Sequence, residues 1–191
     1  MTGKAIRILG YVEISESTAG TWATGPTYVQ LFGPGVKKPG DVIQTVNSGP
    51  ITTQTILGGS QTQTGVSAAI SSTSAANIIR IRASVNVEIT AAYQAAVRIS
   101  RGTGPTLIGT NVYVQGGNSN SWQQPLVNAS DTPNTTSSTT YYIFGICSIG
   151  NNCAVNYNVG PFSPPASDMI LEEIMSSLEP ANDNVSLRMV G

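Results

Sequence analysis

The sequence predicts an all-β chain, an antiparallel jelly-roll sandwich preceded by an N-terminal arm, and three observations carry that expectation. Apolar and polar residues alternate at a spacing of two through much of the chain. Turn-forming Gly, Pro, Asn and Ser clusters separate the alternating runs. Solubility rests on neutral polar groups: 9 basic and 10 acidic residues stand among 191, while Ser and Thr number 42 and Asn and Gln 23. Soluble domains are usually about 25% charged, so a chain this poor in charge suits sheet surfaces better than exposed helices.

Residues 1–40 read as a separate arm. Ile6, Ile8, Tyr11, Val12 and Ile14 form short apolar stretches, and Tyr28, Val29, Leu31 and Phe32 form another. They are too few to close a core and too apolar for a solvated tail, so they are expected to order against a partner surface. An extra strand pair on the main domain is the plainer alternative. Gly33 to Gly40, where two prolines stiffen and three glycines bend the chain around Val36-Lys37-Lys38, then reads as a linker.

The main domain is expected over residues 41–175. Its strongest element alternates Ile79, Ile81, Ala83, Val85, Val87 and Ile89 with Arg80, Arg82, Ser84, Asn86 and Glu88. A second run sets Tyr93, Ala95, Val97 and Ile99 against Gln94, Ala96, Arg98 and Ser100, and the two read as adjacent antiparallel strands ahead of the turn at Arg101 to Pro105. Weaker strand signals lie at Val42–Val46, Ile51–Leu57, Val66–Ile70, Leu107–Val114, Tyr141–Ile149, Ala154–Val159 and Met169–Met175. Nine short strands separated by turn signals point to a sandwich or jelly roll. Residues 115–140 read as one long polar loop that could hold a short strand, and residues 176–191 as a polar tail.

Tyr141 to Ile149 lacks a polar face, with Tyr141, Ile143 and Cys147 on one side and Tyr142, Phe144 and Ile146 on the other. An apolar outer face predicts contact with another subunit, unless a loop of the same chain covers it. Tyr141, Tyr142, Phe144 and Ile146, with Glu172 at the rim, are therefore the expected subunit-interface residues. Trp122, within the long loop, could stack on a sugar ring; pinning the loop to the sandwich is its plainer role.

Catalysis finds little support. The chain has no histidine, which removes the usual Ser-His-Asp and Cys-His arrangements. Glu172 and Glu173 are neighbours on a strand and point to opposite faces, so they cannot act as an acid and base pair. No cysteine or acid spacing suggests a metal site, no cofactor is expected, and Gly102-Thr103-Gly104 is too short to cradle phosphate. A net charge of -1 disfavours nucleic acid and anionic membrane as partners. Arg80, Arg82, Arg98 and Arg101 could cluster and bind an anionic glycan, but Glu88, Asp131, Glu172 and Glu173 match them in number, which favours salt bridges between subunits.

The first thirty residues lack a basic start followed by an apolar stretch, which predicts neither secretion signal nor membrane span and a product made in the cytoplasm. The sequons at Asn128, Asn134 and Asn184 then read as chance, and Cys147 and Cys153 as free thiols, although a turn at Gly150-Asn151-Asn152 could place them opposite each other.

The order of motifs over about residues 40–175 resembles the knob domain of bacteriophage fibre and head-decoration proteins, a jelly roll like those of complement C1q and tumour necrosis factor. The carriers are Pro39-Gly40-Asp41-Val42-Ile43-Gln44, Thr64 to Ile70, Asn77 to Ile81, Arg98 to Thr103, Asp131-Thr132-Pro133 ahead of Thr140-Tyr141-Tyr142, and Leu171 to Ile174. The resemblance implies a homotrimer on a virion surface with no enzymatic activity. The arm is short and has no heptads or fibre repeats, which points to a capsid decoration or cement protein tethered to other virion proteins. A tail or fibre module recognising host glycan is the alternative.

Overall fold

The computed structural model describes residues 10–12, 29–31, 37, 39–90, 92–104, 106–117, 120–150, 152–157 and 166–176. The chain divides into two compact units, Met1–Lys38 and Pro39–Gly191. In the first, β1 (Gly10–Val12) and β2 (Val29–Leu31) pair antiparallel, with Tyr11 opposite Gln30. Of the expected anchoring residues, Ile6, Ile8, Tyr28 and Phe32 lie outside the described residues, as do residues 177–191.

The described part of the second unit is built from β3 (Val42–Asn47), β4 (Thr55–Leu57), β5 (Thr62–Ser71), β6 (Ile78–Ser84), β7 (Val87–Ile89) and β8 (Gln94–Arg101). Then follow β9 (Thr106–Gln115), β10 (Ser121–Gln123), β11 (Leu126–Asp131), β12 (Ser138–Cys147), β13 (Cys153–Val155) and β14 (Asp168–Ile174). One layer is the sheet β11-β6-β14-β3, continued by β10-β7-β13-β4; the other is β5-β12-β8-β9. Counting the eight long strands in chain order, the first pairs the last (β3 with β14), the second the seventh, the third the sixth and the fourth the fifth. That nested antiparallel pairing is a jelly roll.

Side-chain parity builds the core. Ile79, Ile81, Ala83, Val85, Val87 and Ile89 all face inward from the first layer and meet Val66, Ile70, Val97, Ile99, Tyr141 and Ile143 of the second. The long alternating run is interrupted at Val85–Asn86 and forms two strands rather than one. Its neighbour chain carries Pro125, which has no N–H to give the ladder; the Val85 N–H instead donates to the Pro125 carbonyl, and the Asn86 N–H to Ser167 Oγ. Parity survives the break.

Several expectations are corrected. The runs at 79–89 and 93–100 are not adjacent strands: the chain crosses between layers after Ile89, so β8 pairs β9 and β12. Residues 115–140 are not one loop, because β10 and β11 pair β7 and β6 and send Val127 into the core. Polar, short strands with one buried apolar residue carry too weak an alternation to be read. The Cys147 and Cys153 side chains are bonded to each other. They belong to strands of different layers, so the bridge ties the two sheets instead of spanning a hairpin. Among the described residues no helix is long and apolar enough to cross a membrane.

The sandwich is closed at its start and end by one buried carboxylate. Glu173 accepts hydrogen bonds from the Thr73 N–H at 2.7 Å, Thr73 Oγ1 at 2.8 Å, Asn77 Nδ2 at 2.7 Å and Gln44 Nε2 at 2.7 Å. It thereby joins the last strand to the first and to the β5–β6 connection. Burial pushes its carboxyl upward, but these donors outweigh burial and hold it below the ordinary carboxylate range. Because the folded form holds the proton less readily than the unfolded one, this stabilisation is complete above the unfolded carboxyl range, near pH 4.3. It is lost as pH falls through the lower folded value. Glu173→Ala should lower unfolding free energy by about 2–4 kcal/mol at pH 7, and by progressively less below pH 4, in urea titrations of both chains.

Candidate functional site

Since one side of every long strand faces the core, strand side chains reach solvent on the two outer faces. On the second layer, Tyr142, Phe144 and Ile146 of β12 do face outward, while Tyr141 does not. Tyr141 is wholly buried and its hydroxyl donates to Asp131 Oδ2 at 2.8 Å, so it is not a surface available to another subunit. Burial, then Asp131, pushes its phenol far upward, keeping it neutral. Phe144 is only 6% exposed and Tyr142 and Ile146 are half-buried, so this chain's own residues already cover much of the outer strip.

Glu172 lies on the opposite outer face, between Arg80 (3.5 Å) and Arg82 (2.7 Å). It therefore cannot share one continuous patch with Tyr142, Phe144 and Ile146. Arg101 pairs with Asp131 at 3.1 Å. These salt bridges are within the chain rather than between subunits, and the four arginines do not cluster: Arg80 and Arg82 belong to the first layer, Arg98 and Arg101 to the second. Layer assignment decides this, and it depends on long-range pairing that local alternation does not contain.

The first layer's outer face is apolar at both ends. Val42, Ile78 and Leu126 are exposed on β3, β6 and β11, and in the continuation Trp122 and Ile56 are about half exposed (47% and 52%). Trp122 stands not on a loop but on the edge strand β10, in a cross-strand row with Glu88, Ala154 and Ile56. Glu88 is buried between its neighbours, receives Asn120 Nδ2 at 3.3 Å, and has its carboxyl pushed upward by burial. Sequence reading placed Glu88 on a polar face without seeing this enclosure.

On the second layer's outer face there is a hollow of about 310 Å³ lined by Gln61, Ala96, Arg98, Asn111, Tyr113 and Phe144, among others. Its cause is a bulge. β8 pairs β9 in register at Val97 with Val112 and at Ile99 with Ile108, so three residues of β9 stand against Arg98 alone. Gly109, within that bulge, has φ +80°, and a Cβ there would come within 3.2 Å of Ala129 Cβ. Arg98 Nη2 is buried and has no hydrogen-bond partner.

Among the described residues no group of three His, Cys, Asp or Glu side chains is placed to hold a metal ion. No protein-family model matches the chain, and no curated protein matches it significantly.

Glu88 gives this surface a pH signature opposite to that of Glu173. Its raised folded pKa makes ionised Glu88 a destabilising element above that value, relieved as pH falls through it toward the unfolded value. Glu88→Gln should therefore be at least as stable as the native chain at pH 7 and lose that advantage near pH 4, as read by thermal melts at both pH values.

Proposed function

We propose that this protein is a structural component of a bacteriophage virion, without enzymatic activity: a homotrimeric jelly-roll knob held to the particle by its N-terminal arm, as capsid decoration or cement. The observation that carries the reading is the first layer's outer face, where exposed Val42, Ile78 and Leu126 flank Arg80, Arg82 and Glu172. Glu172 holds both arginines, so a contacting copy has to supply an acceptor for only one net positive charge when it dries this face. This face replaces the Tyr142–Phe144–Ile146 strip as the proposed contact, because that strip is already largely covered. Glu172 keeps its place within it. The contact is heterologous, as closure of a three-membered ring requires. The resemblance of the motif order to phage knobs supports the virion surface as the setting and other virion proteins as the arm's partners.

Light scattering of the full chain should give about three times its 19.8 kDa mass. Ile78→Asp, which places a charge in the proposed contact, should give monomers that melt like native chain at equal concentration in the dissociated state. Removing residues 1–38 should leave the trimer and abolish its attachment to particles. A native chain that stays monomeric at every concentration contradicts the assembly, and continued attachment without the arm contradicts the tether.

A second reading is favoured by Trp122, whose indole is half exposed beside Glu88 and Asn120. An aromatic plane next to amide and carboxyl groups suits a sugar ring, which would make the knob a tail or fibre module recognising host glycan. Under that reading Trp122→Ala lowers adsorption to host cells without changing trimer mass; unchanged adsorption contradicts it.

A further inference from the structure

Among the described arginines, Arg98 alone forms no salt bridge. Arg80 and Arg82 share Glu172, and Arg101 has Asp131, whereas Arg98 has a buried, unpartnered Nη2. Leaving a charged donor buried and unpaired is unfavourable, and native proteins seldom keep such a group without a use for it. The β9 bulge explains how Arg98 comes to be alone. Three residues, Gly109 to Asn111, span the place where one cross-strand partner would sit, and none of them is an acid.

The surroundings of Arg98 are those of a ligand site. On its β12 side stands Phe144, directly opposite in register. Next along β8 is Ala96, whose small side chain leaves depth, and across from Ala96 on β9 is Tyr113, 70% exposed. Asn111 Nδ2 donates to the Tyr113 hydroxyl at 3.2 Å, tying the two residues that form the β9 wall. Gln61 stands among the lining residues as a second amide. The hollow of about 310 Å³ lies at the lower end of the range typical of small-molecule sites, roughly 300–1,000 Å³.

We infer that this hollow binds a carboxylate-bearing sugar, such as a hexuronic acid unit of an acidic polysaccharide. Each part of that ligand has a matching group. A carboxylate supplies the acceptor that Arg98 lacks, with a planar geometry suited to a guanidinium fork. The Tyr113 ring offers a plane for the C–H face of a pyranose, and the Asn111 and Gln61 amides offer donors and acceptors for its hydroxyls. A free inorganic anion would use Arg98 and leave the aromatic and amide walls idle. An acidic side chain from another copy would use Arg98 and Phe144 but not the amides. The site lies on the layer opposite the proposed trimer contact and uses neither Trp122 nor the arm, so it stands whether or not the chain trimerises.

The test is calorimetric titration of the full chain with tri-glucuronate, with neutral maltotriose and sodium acetate as comparisons. Saturable binding of tri-glucuronate is expected, at least tenfold tighter than either comparison and weakened by salt. Arg98→Gln should reduce it at least tenfold, and because that change removes the buried Nη2 that has no hydrogen-bond partner its melting temperature should not fall. Tyr113→Ala, at an exposed position, should weaken tri-glucuronate several-fold and leave acetate unchanged. Trp122→Ala should leave all three titrations as they are, which separates this site from the glycan reading above. Equal binding of maltotriose, undiminished binding by Arg98→Gln, or no binding of tri-glucuronate at millimolar concentration overturns the proposal. So does a change of oligomer mass in Arg98→Gln, which would assign the hollow to a neighbouring copy.

Discussion

Parity governs this molecule. Each long strand of the main unit gives alternate side chains to the space between two layers, and that space is filled by a single apolar cluster running from Leu57 to Leu171. A shift of one residue in any strand would expose its apolar set and bury its polar one. The register is therefore fixed by burial, and everything polar is driven to one of two outer faces. Even where the first layer breaks at Val85–Asn86, inward and outward positions continue in step, so the broken sheet still presents one face.

The polar groups that do enter the interior show how the exceptions are handled. Glu173 enters with four donors waiting, and Tyr141 with Asp131, itself paired to Arg101. Each of these clusters links strands distant in sequence, and so helps to specify which strand lies beside which. Glu88 and Arg98 differ. One has a single long hydrogen bond from Asn120, and the other has a buried nitrogen with none. Both sit toward an outer face, beside exposed Trp122 and Tyr113 respectively. For these two groups the incomplete satisfaction lies beside an exposed aromatic ring, where binding is able to compensate it.

The fold class was legible in the sequence because alternation is a local signal. Ile79 to Ile89, Val97 with Ile99, and Tyr141 with Ile143 all face the core as their spacing predicts. What was not legible depends on pairing across the chain. Arg80 and Arg98 look alike in local pattern, yet crossing between layers puts them on opposite outer faces. Glu172 and Phe144 were grouped as one interface for the same reason and are separated by the thickness of the sandwich. The Arg98 hollow arises from a register shift between β8 and β9, and only Gly109 marks it in sequence, as a glycine inside an otherwise ordinary strand. The Cys147–Cys153 bond is not legible because the spacing of the two cysteines fits free thiols as well as a bridge, and their closeness depends on strands of different layers.

The proposals give the two outer faces different work: the first layer would meet other copies, and the second would stay open to solvent and ligand. Hydroxyl-radical footprinting of the full chain, compared between dilute and concentrated solution, tests that division directly. Concentration should protect Ile78 and Leu126 while Tyr113 remains as reactive as before. Protection of Tyr113 with Ile78 and Leu126 left open would contradict it.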